Sequence, residues 1–148
     1  MPKPNDFNQA LDEAVVGAAG VGRATVDRDG HAVHIDVTEV GPIGVRITGI
    51  SVGHAAADIA RRAGELPERL RALPERVQPV EVDPGLGGAV LRTKPEEMQD
   101  SEFFEVEVRP ERTDIRRYKV EEGDRTAVAF PMTRDQLERL IDEVASDD

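Results

Sequence analysis

Residues 23–40, RATVDRDGHAVHIDVTEV, decide the fold class. Two runs of alternating apolar and polar residues flank Asp29-Gly30, a dipeptide suited to the positive φ angles of a two-residue hairpin turn. With that turn as pivot, Val26 falls opposite Val33 and Ala24 opposite Ile35 on one face. Thr25 then faces His34, and Arg23 faces Asp36, on the other. One face is apolar and the other polar, the pattern of an antiparallel sheet covered on one side.

The same reading extends in both directions. Gly41-Pro42 makes a second turn, and residues 43–52 form a third strand with Ile43, Val45 and Ile47 inward. The apolar phase then shifts to Ile50 and Val52, which marks a bulge at Gly49. Upstream, Asp6 caps a helix from Phe7 to about Val16, with Phe7, Leu11, Ala14 and Val15 as its apolar stripe. Downstream, residues 54–63 have helical spacing, and Gly64 and Pro67 interrupt it. Pro67 suits the first position of a second helical piece, so a broken helix is expected to lay Leu66, Leu70 and Leu73 on the sheet.

The second half is again rich in strand patterns. Residues 77–83 and 88–93 flank the turn Pro84-Gly85-Leu86-Gly87, and residues 94–102 form a polar loop. Residues 103–109 alternate, with Phe104, Val106 and Val108 on one face. Residues 114–121 and 125–131 flank Glu122-Gly123-Asp124, with Tyr118, Val120, Val128 and Phe130 as expected core. Thr133-Arg134-Asp135-Gln136 is a capping box, and Leu137, Leu140, Ile141 and Val144 follow at helical spacing.

Short connections force antiparallel pairing. The expected architecture is a single α+β domain over residues 1–148, with residues 1–5 and 146–148 as loose ends. It has a mainly antiparallel sheet of about six to eight strands, with an N-terminal, a broken central and a C-terminal helix on one face.

Composition narrows the chemistry. The chain has 148 residues, no cysteine and no tryptophan, which excludes a disulfide scaffold, a thiolate metal site and a cysteine nucleophile. Thirty acidic residues against nineteen basic ones give a net charge of −11, so nucleic-acid binding is not expected. No run is long and apolar enough for a membrane span, and a cytoplasmic location is expected. The glycine-rich stretch Gly17 to Thr25 has two glycines five apart. It follows a helix and opens a strand, the reverse of a phosphate loop, and it places Arg23 where that loop needs lysine.

Three histidines cannot build a metal site by spacing. His31 and His34 point to opposite faces of one strand, and His54 stands apart at the start of a helical pattern. No metal and no cofactor are expected. No serine sits in a nucleophile elbow. The candidate site is therefore the polar face of the first hairpin, where Arg23, His34, Asp36 and Arg46 could gather, and His34 beside Asp36 could form an oriented base. A second candidate is the outer face of residues 103–109. Phe103 shares it with Glu105 and Glu107, and meets solvent, a partner protein or a second copy of the chain unless the 94–102 loop folds over it. Acidic residues including Glu96, Glu97, Asp100, Glu102, Glu121 and Glu122 form a surface that either serves solubility or steers a basic partner. The leading expectation is a non-catalytic protein-binding or regulatory module. The alternatives are a small hydrolase or isomerase using carboxylates and His34, and an acidic inhibitor or immunity-type protein that blocks a basic partner.

Overall fold

Strands β1 (Arg23–Arg28) and β2 (His31–Val40) turn at Asp29 and Gly30, whose φ angles are 51° and 84°. The Gly30 N–H donates to Asp27 Oδ2 at 3.2 Å, which ties the turn to the strand before it. The pairing register is the one read from the alternation, Arg23 with Asp36 through Arg28 with His31. These coordinates come from a computed structural model that describes residues 6–17 and 22–145. Residues 1–5, 146–148 and 18–21, the middle of the glycine-rich stretch, lie outside the described residues.

The third strand, β3 (Gly44–Gly53), pairs with β2 through two register shifts. Thr48 slips out of register beside Gly49, and Thr38 slips out on the opposite strand. The second slip is closed by Thr38 Oγ1 donating to the Arg46 carbonyl at 3.1 Å. Ile43 does not point inward as its phase suggested. The Gly41 N–H bonds the Gly44 carbonyl at 2.9 Å, so Ile43 belongs to the turn and is 77% exposed.

The remaining strands are β4 (Val77–Asp83), β5 (Gly88–Thr93), β6 (Glu102–Val108), β7 (Arg112–Glu121), β8 (Asp124–Val128) and β9 (Phe130–Thr133). They form one nine-stranded antiparallel sheet in the order β1-β2-β3-β7-β6-β5-β4. β8 pairs with β7, and β9 with β3. The count exceeds the expected six to eight because residues 125–131, read as one strand, split between two partners.

That split makes a fork. β3 and β7 pair only from Gly53–Arg112 to Gly49–Arg116. Beyond this point their edges part. β8 runs toward the junction along residues 117–121 of β7, and β9 runs away from it along residues 44–47 of β3. Ala129 is the vertex. A Cβ at Gly49 would lie 3.2 Å from Arg116 Cγ, so a residue without one lets the strands close where the fork begins.

All three helices lie on one face. α1 (Asp6–Gly17) packs on β1 and β2, α2 (Ile59–Arg69) on β4 to β6, and α3 (Arg134–Ala145) on β3 and β9. The expected break in the central helix is absent. Asp58 caps it by accepting from the Arg61 N–H at 3.0 Å, and the helix then runs through Gly64 and Pro67. Pro67 sits in the last turn, withholds the one N–H that would bond the Ala63 carbonyl, and the helix ends two residues later. Leu70 and Leu73 are buried as expected, but in the loop that follows.

The apolar core lies between sheet and helices and is continuous from Leu11 and Val15 to Leu137 and Val144. A polar cluster is sealed within it. The buried His54 has Nδ1 2.9 Å from the Ala55 carbonyl and Nε2 2.9 Å from Thr113 Oγ1. Arg62 also reaches Thr113 Oγ1 and donates to the Val144 carbonyl at the end of α3. This ties the last turn of α3 to α2 and β7.

Tyr118 and Val120 are not core residues. Thr113 and Ile115 are the buried positions of β7, and the same phase carries Arg117 inward, so Tyr118 and Val120 face the side without helices.

Candidate functional site

The fork opens toward the end of the sheet that carries the β2–β3 turn. Between its arms lies a cleft of about 940 Å³ lined from both faces of the sheet. Phe104, Phe130, Met132 and Leu73, all buried, form the floor, and the Phe104 and Phe130 rings meet edge to face at 5.1 Å. The β2–β3 turn and β9 make one wall. Glu75, Glu102 and Arg117 make the other.

The charged wall is closely organised. Arg117 Nη1 and Nη2 each lie 3.2 Å from an oxygen of Glu75, and Nε donates to Glu102 Oε1 at 2.7 Å. Its guanidinium carbon lies 4.5 Å from the centre of the Phe104 ring. Glu75 Oε1 also accepts from Thr93 Oγ1 at 3.0 Å, and Thr93 Oγ1 accepts from the Phe104 N–H at 2.7 Å. Arg117 and Glu75 side chains are 11% and 7% exposed. Burial works against the arginine charge, but hydrogen bonds and attraction from Glu75 and Glu102 outweigh it and raise its pKa above the ordinary value. Glu75 is held in place by its loop. Arg76 donates to the carbonyls of Leu70 and Leu73, and the Ala72 N–H donates to Glu143 Oε1 on α3 at 2.9 Å.

The opposite wall is braced by Arg134, which donates to the Gly41 and Pro42 carbonyls and lies 2.7 Å from Asp12 Oδ1. The capping box forms in both directions. The Thr133 N–H donates to Gln136 Oε1 at 2.9 Å, and the Gln136 N–H to Thr133 Oγ1 at 3.0 Å. Pro131 has no N–H, and that of Thr133 is taken, so these positions on the free edge of β9 offer no donors to an added strand.

Of the hairpin residues singled out from sequence, Arg23, His34 and Asp36 lie elsewhere, and the four do not form one site. Arg23 Nε bonds Asp36 Oδ1 at 3.0 Å, and His34 Nδ1 lies 3.0 Å from Thr25 Oγ1, as cross-strand neighbours on the helix-free face. Arg46 lies beyond both register shifts, opposite Glu39, and lines the cleft instead.

Phe103 does face away from the helices, but it is 7% exposed and presents little of its ring to solvent. Tyr118 lies 5.9 Å from it and the Arg92 guanidinium 5.8 Å. Pro95 and Met98, from the loop after β5, border the same hollow of about 470 Å³.

Glu105 is 8% exposed and accepts from Arg92 and Arg125. Burial alone would raise its carboxyl, but these two arginines outweigh burial and hold its pKa below the usual glutamate value. Glu107 is more exposed and pairs with Arg109.

Sequence reasoning passed over Glu75 and Arg117. Their one local signal was an arginine in the inward phase of β7, two residues after Ile115. Among the described residues, no group of three or more His, Cys, Asp or Glu side chains could hold a metal ion. Among them too, no helix is long and apolar enough to cross a membrane. Comparison of the chain with family models, with curated proteins and with solved structures finds no match.

Proposed function

We propose that the protein is a non-catalytic binding or regulatory module that acts through contact with another protein, which docks at the cleft of the fork. The observation that carries this reading is a cleft with the exposed apolar Ile43 on its rim, beside a charged wall whose groups satisfy one another. A recess of this kind supplies apolar area together with a few fixed polar groups, the usual make-up of a recognition site. A general acid or base needs reach toward a substrate, whereas Glu75 and Glu102 are both committed to Arg117. The hydrolase or isomerase reading draws no support from the first hairpin, since His34 is bonded to Thr25 and Asp36 to Arg23.

The test uses Ile43→Asp, a change at an exposed turn residue on the cleft wall. Affinity capture from the source cell, read by mass spectrometry of intact complexes, should give one stoichiometric partner with the wild-type chain and with His34→Ala. The Ile43→Asp chain should lose it. A partner kept by Ile43→Asp, or turnover abolished by His34→Ala, would overturn the reading.

A further inference from the structure

The outer edges of the sheet are β1 and β4, and they differ in how open they are. β4 carries Pro79, and its pairing with β5 slips between Pro79 and Glu81. Both features keep a further strand from adding. β1 contains no proline or lysine, and its pairing with β2 runs from Arg23 to Arg28 without a slip.

The turn decides which groups β1 leaves open. Asp29 and Gly30 form a two-residue turn, so the flanking Arg28 and His31 exchange both backbone bonds. Counting back, Ala24, Val26 and Arg28 direct their N–H and C=O groups at β2. The Gly22 carbonyl keeps this phase and accepts from the Val37 N–H at 2.6 Å. Arg23, Thr25 and Asp27 direct theirs outward, where no strand among the described residues pairs with them.

These three residues are complementary to their own reverse. All are exposed on the helix-free face. Turned end for end about Thr25, the strand sets Arg23 against Asp27 and Asp27 against Arg23, while Ala24 meets Val26 on the helix side. Centring on Ala24 or Val26 instead joins only two of the open residues. Centring between residues sets open groups against groups already bonded. Arg23 spends Nε on Asp36, and Asp27 spends one oxygen on the Gly30 N–H, so each keeps a group for the facing charge.

The helix above the edge fits the same arrangement. Asp12 faces α3 through its pair with Arg134. Ala10 and Ala14, two residues before and after it, lie on the opposite side of α1. Strands lie about 4.8 Å apart, so α1 seated over β1 and β2 would stand about 10 Å from its copy, a packing distance that small side chains allow.

We infer that β1 pairs antiparallel with β1 of a second copy, on a two-fold axis at Thr25, to make one continuous sheet with the helices of both copies on the same face. The contact leaves the cleft free and does not rest on the proposed function. Each copy carries a net charge of −11, which opposes association, so the contact belongs to physiological ionic strength, where such repulsion fades beyond about 8 Å.

Light scattering of the full chain in such a buffer should give the mass of a dimer. Thr25→Pro removes the N–H at the axis, at a position where an edge strand accepts proline, and should give a monomer that melts with the wild type. If Thr25→Pro melts early, the charges decide. Arg23→Asp sets two carboxylates together at two places by symmetry and should weaken the dimer roughly tenfold. Adding Asp27→Arg restores opposite signs and should recover the affinity. The chain has no cysteine, so Thr25→Cys should cross-link to its copy on oxidation while Asp27→Cys should not. A wild-type chain that stays monomeric to about 1 mM would overturn the inference. So would a dimer that keeps its affinity in Arg23→Asp, or a charge exchange that recovers nothing.

Discussion

Arg125 on β8 holds Glu105 on β6 with both ends of its guanidinium, Nη1 to Oε1 at 2.9 Å and Nη2 to Oε2 at 3.2 Å. The two strands are not neighbours, because β7 runs between them. The pair crosses over Tyr118, whose ring centre lies 4.2 Å from the Arg125 guanidinium carbon. Arg92 on β5 closes the other side of Glu105 at 2.9 Å. One carboxylate thus joins three strands on the face that no helix covers, and it helps hold β8 in place along the fork.

Glu105→Gln should therefore lower stability by roughly 1–2 kcal/mol, less than for a fully buried pair because both arginines are partly solvated. The loss should depend on pH. The folded chain keeps Glu105 ionised below the ordinary value of about 4.3, so on acidification the unfolded chain takes up the proton first. The contribution is complete above about pH 4.3 and fades as pH falls through the folded-state value. Urea midpoints measured at neutral and acidic pH should converge between wild type and variant as the pH drops. A constant difference would contradict the assignment.

Arg117→Leu should cost more, about 3–5 kcal/mol, because it leaves the buried Glu75 carboxylate with Thr93 but no cation. Glu75→Gln in the same background should recover part of the loss. A double-mutant cycle in urea gives the coupling, and additive losses would show that the two side chains act independently.

Phe103→Ser should lower stability by about 3 kcal/mol, as expected for truncating a buried aromatic. Its mass in light scattering should equal that of the wild-type chain, because Phe103 is covered from within. Reduced mass at near-normal stability would instead place Phe103 between two copies.

Two glycines should respond oppositely to alanine. At Gly44 a Cβ would meet the Met132 carbonyl oxygen at 2.9 Å, a backbone atom of β9 that cannot move alone. Gly44→Ala should cost about 1–3 kcal/mol. Gly64, inside α2, has nothing within 4 Å of the same atom, and Gly64→Ala should add roughly 0.5–1 kcal/mol. Thermal melting of both variants checks the pair, and shifts of the same sign would contradict the local geometry.

Sequence alone determined what depends on near neighbours. The Asp29-Gly30 turn, the register of the first hairpin and the Thr133–Gln136 capping box follow from two-residue and 3.6-residue periods and from local hydrogen bonds. Tertiary structure decided the rest. The β7–β8 hairpin was legible from its turn, but pairing with β3 is what divides residues 124–133 into two strands, and no local pattern encodes a partner some eighty residues away. Ile43 had the right phase for the core, yet a turn closed by Gly41 and Gly44 exposes it. Arg117 had the wrong polarity for an inward position until Glu75, from a loop after α2, was brought to 3.2 Å. Phe103 and Glu105 looked exposed because only one face of the sheet carries helices, and Tyr118, Arg92 and Arg125 cover the other face locally. Alternation reports which face a side chain takes, but what covers that face depends on contacts between distant segments.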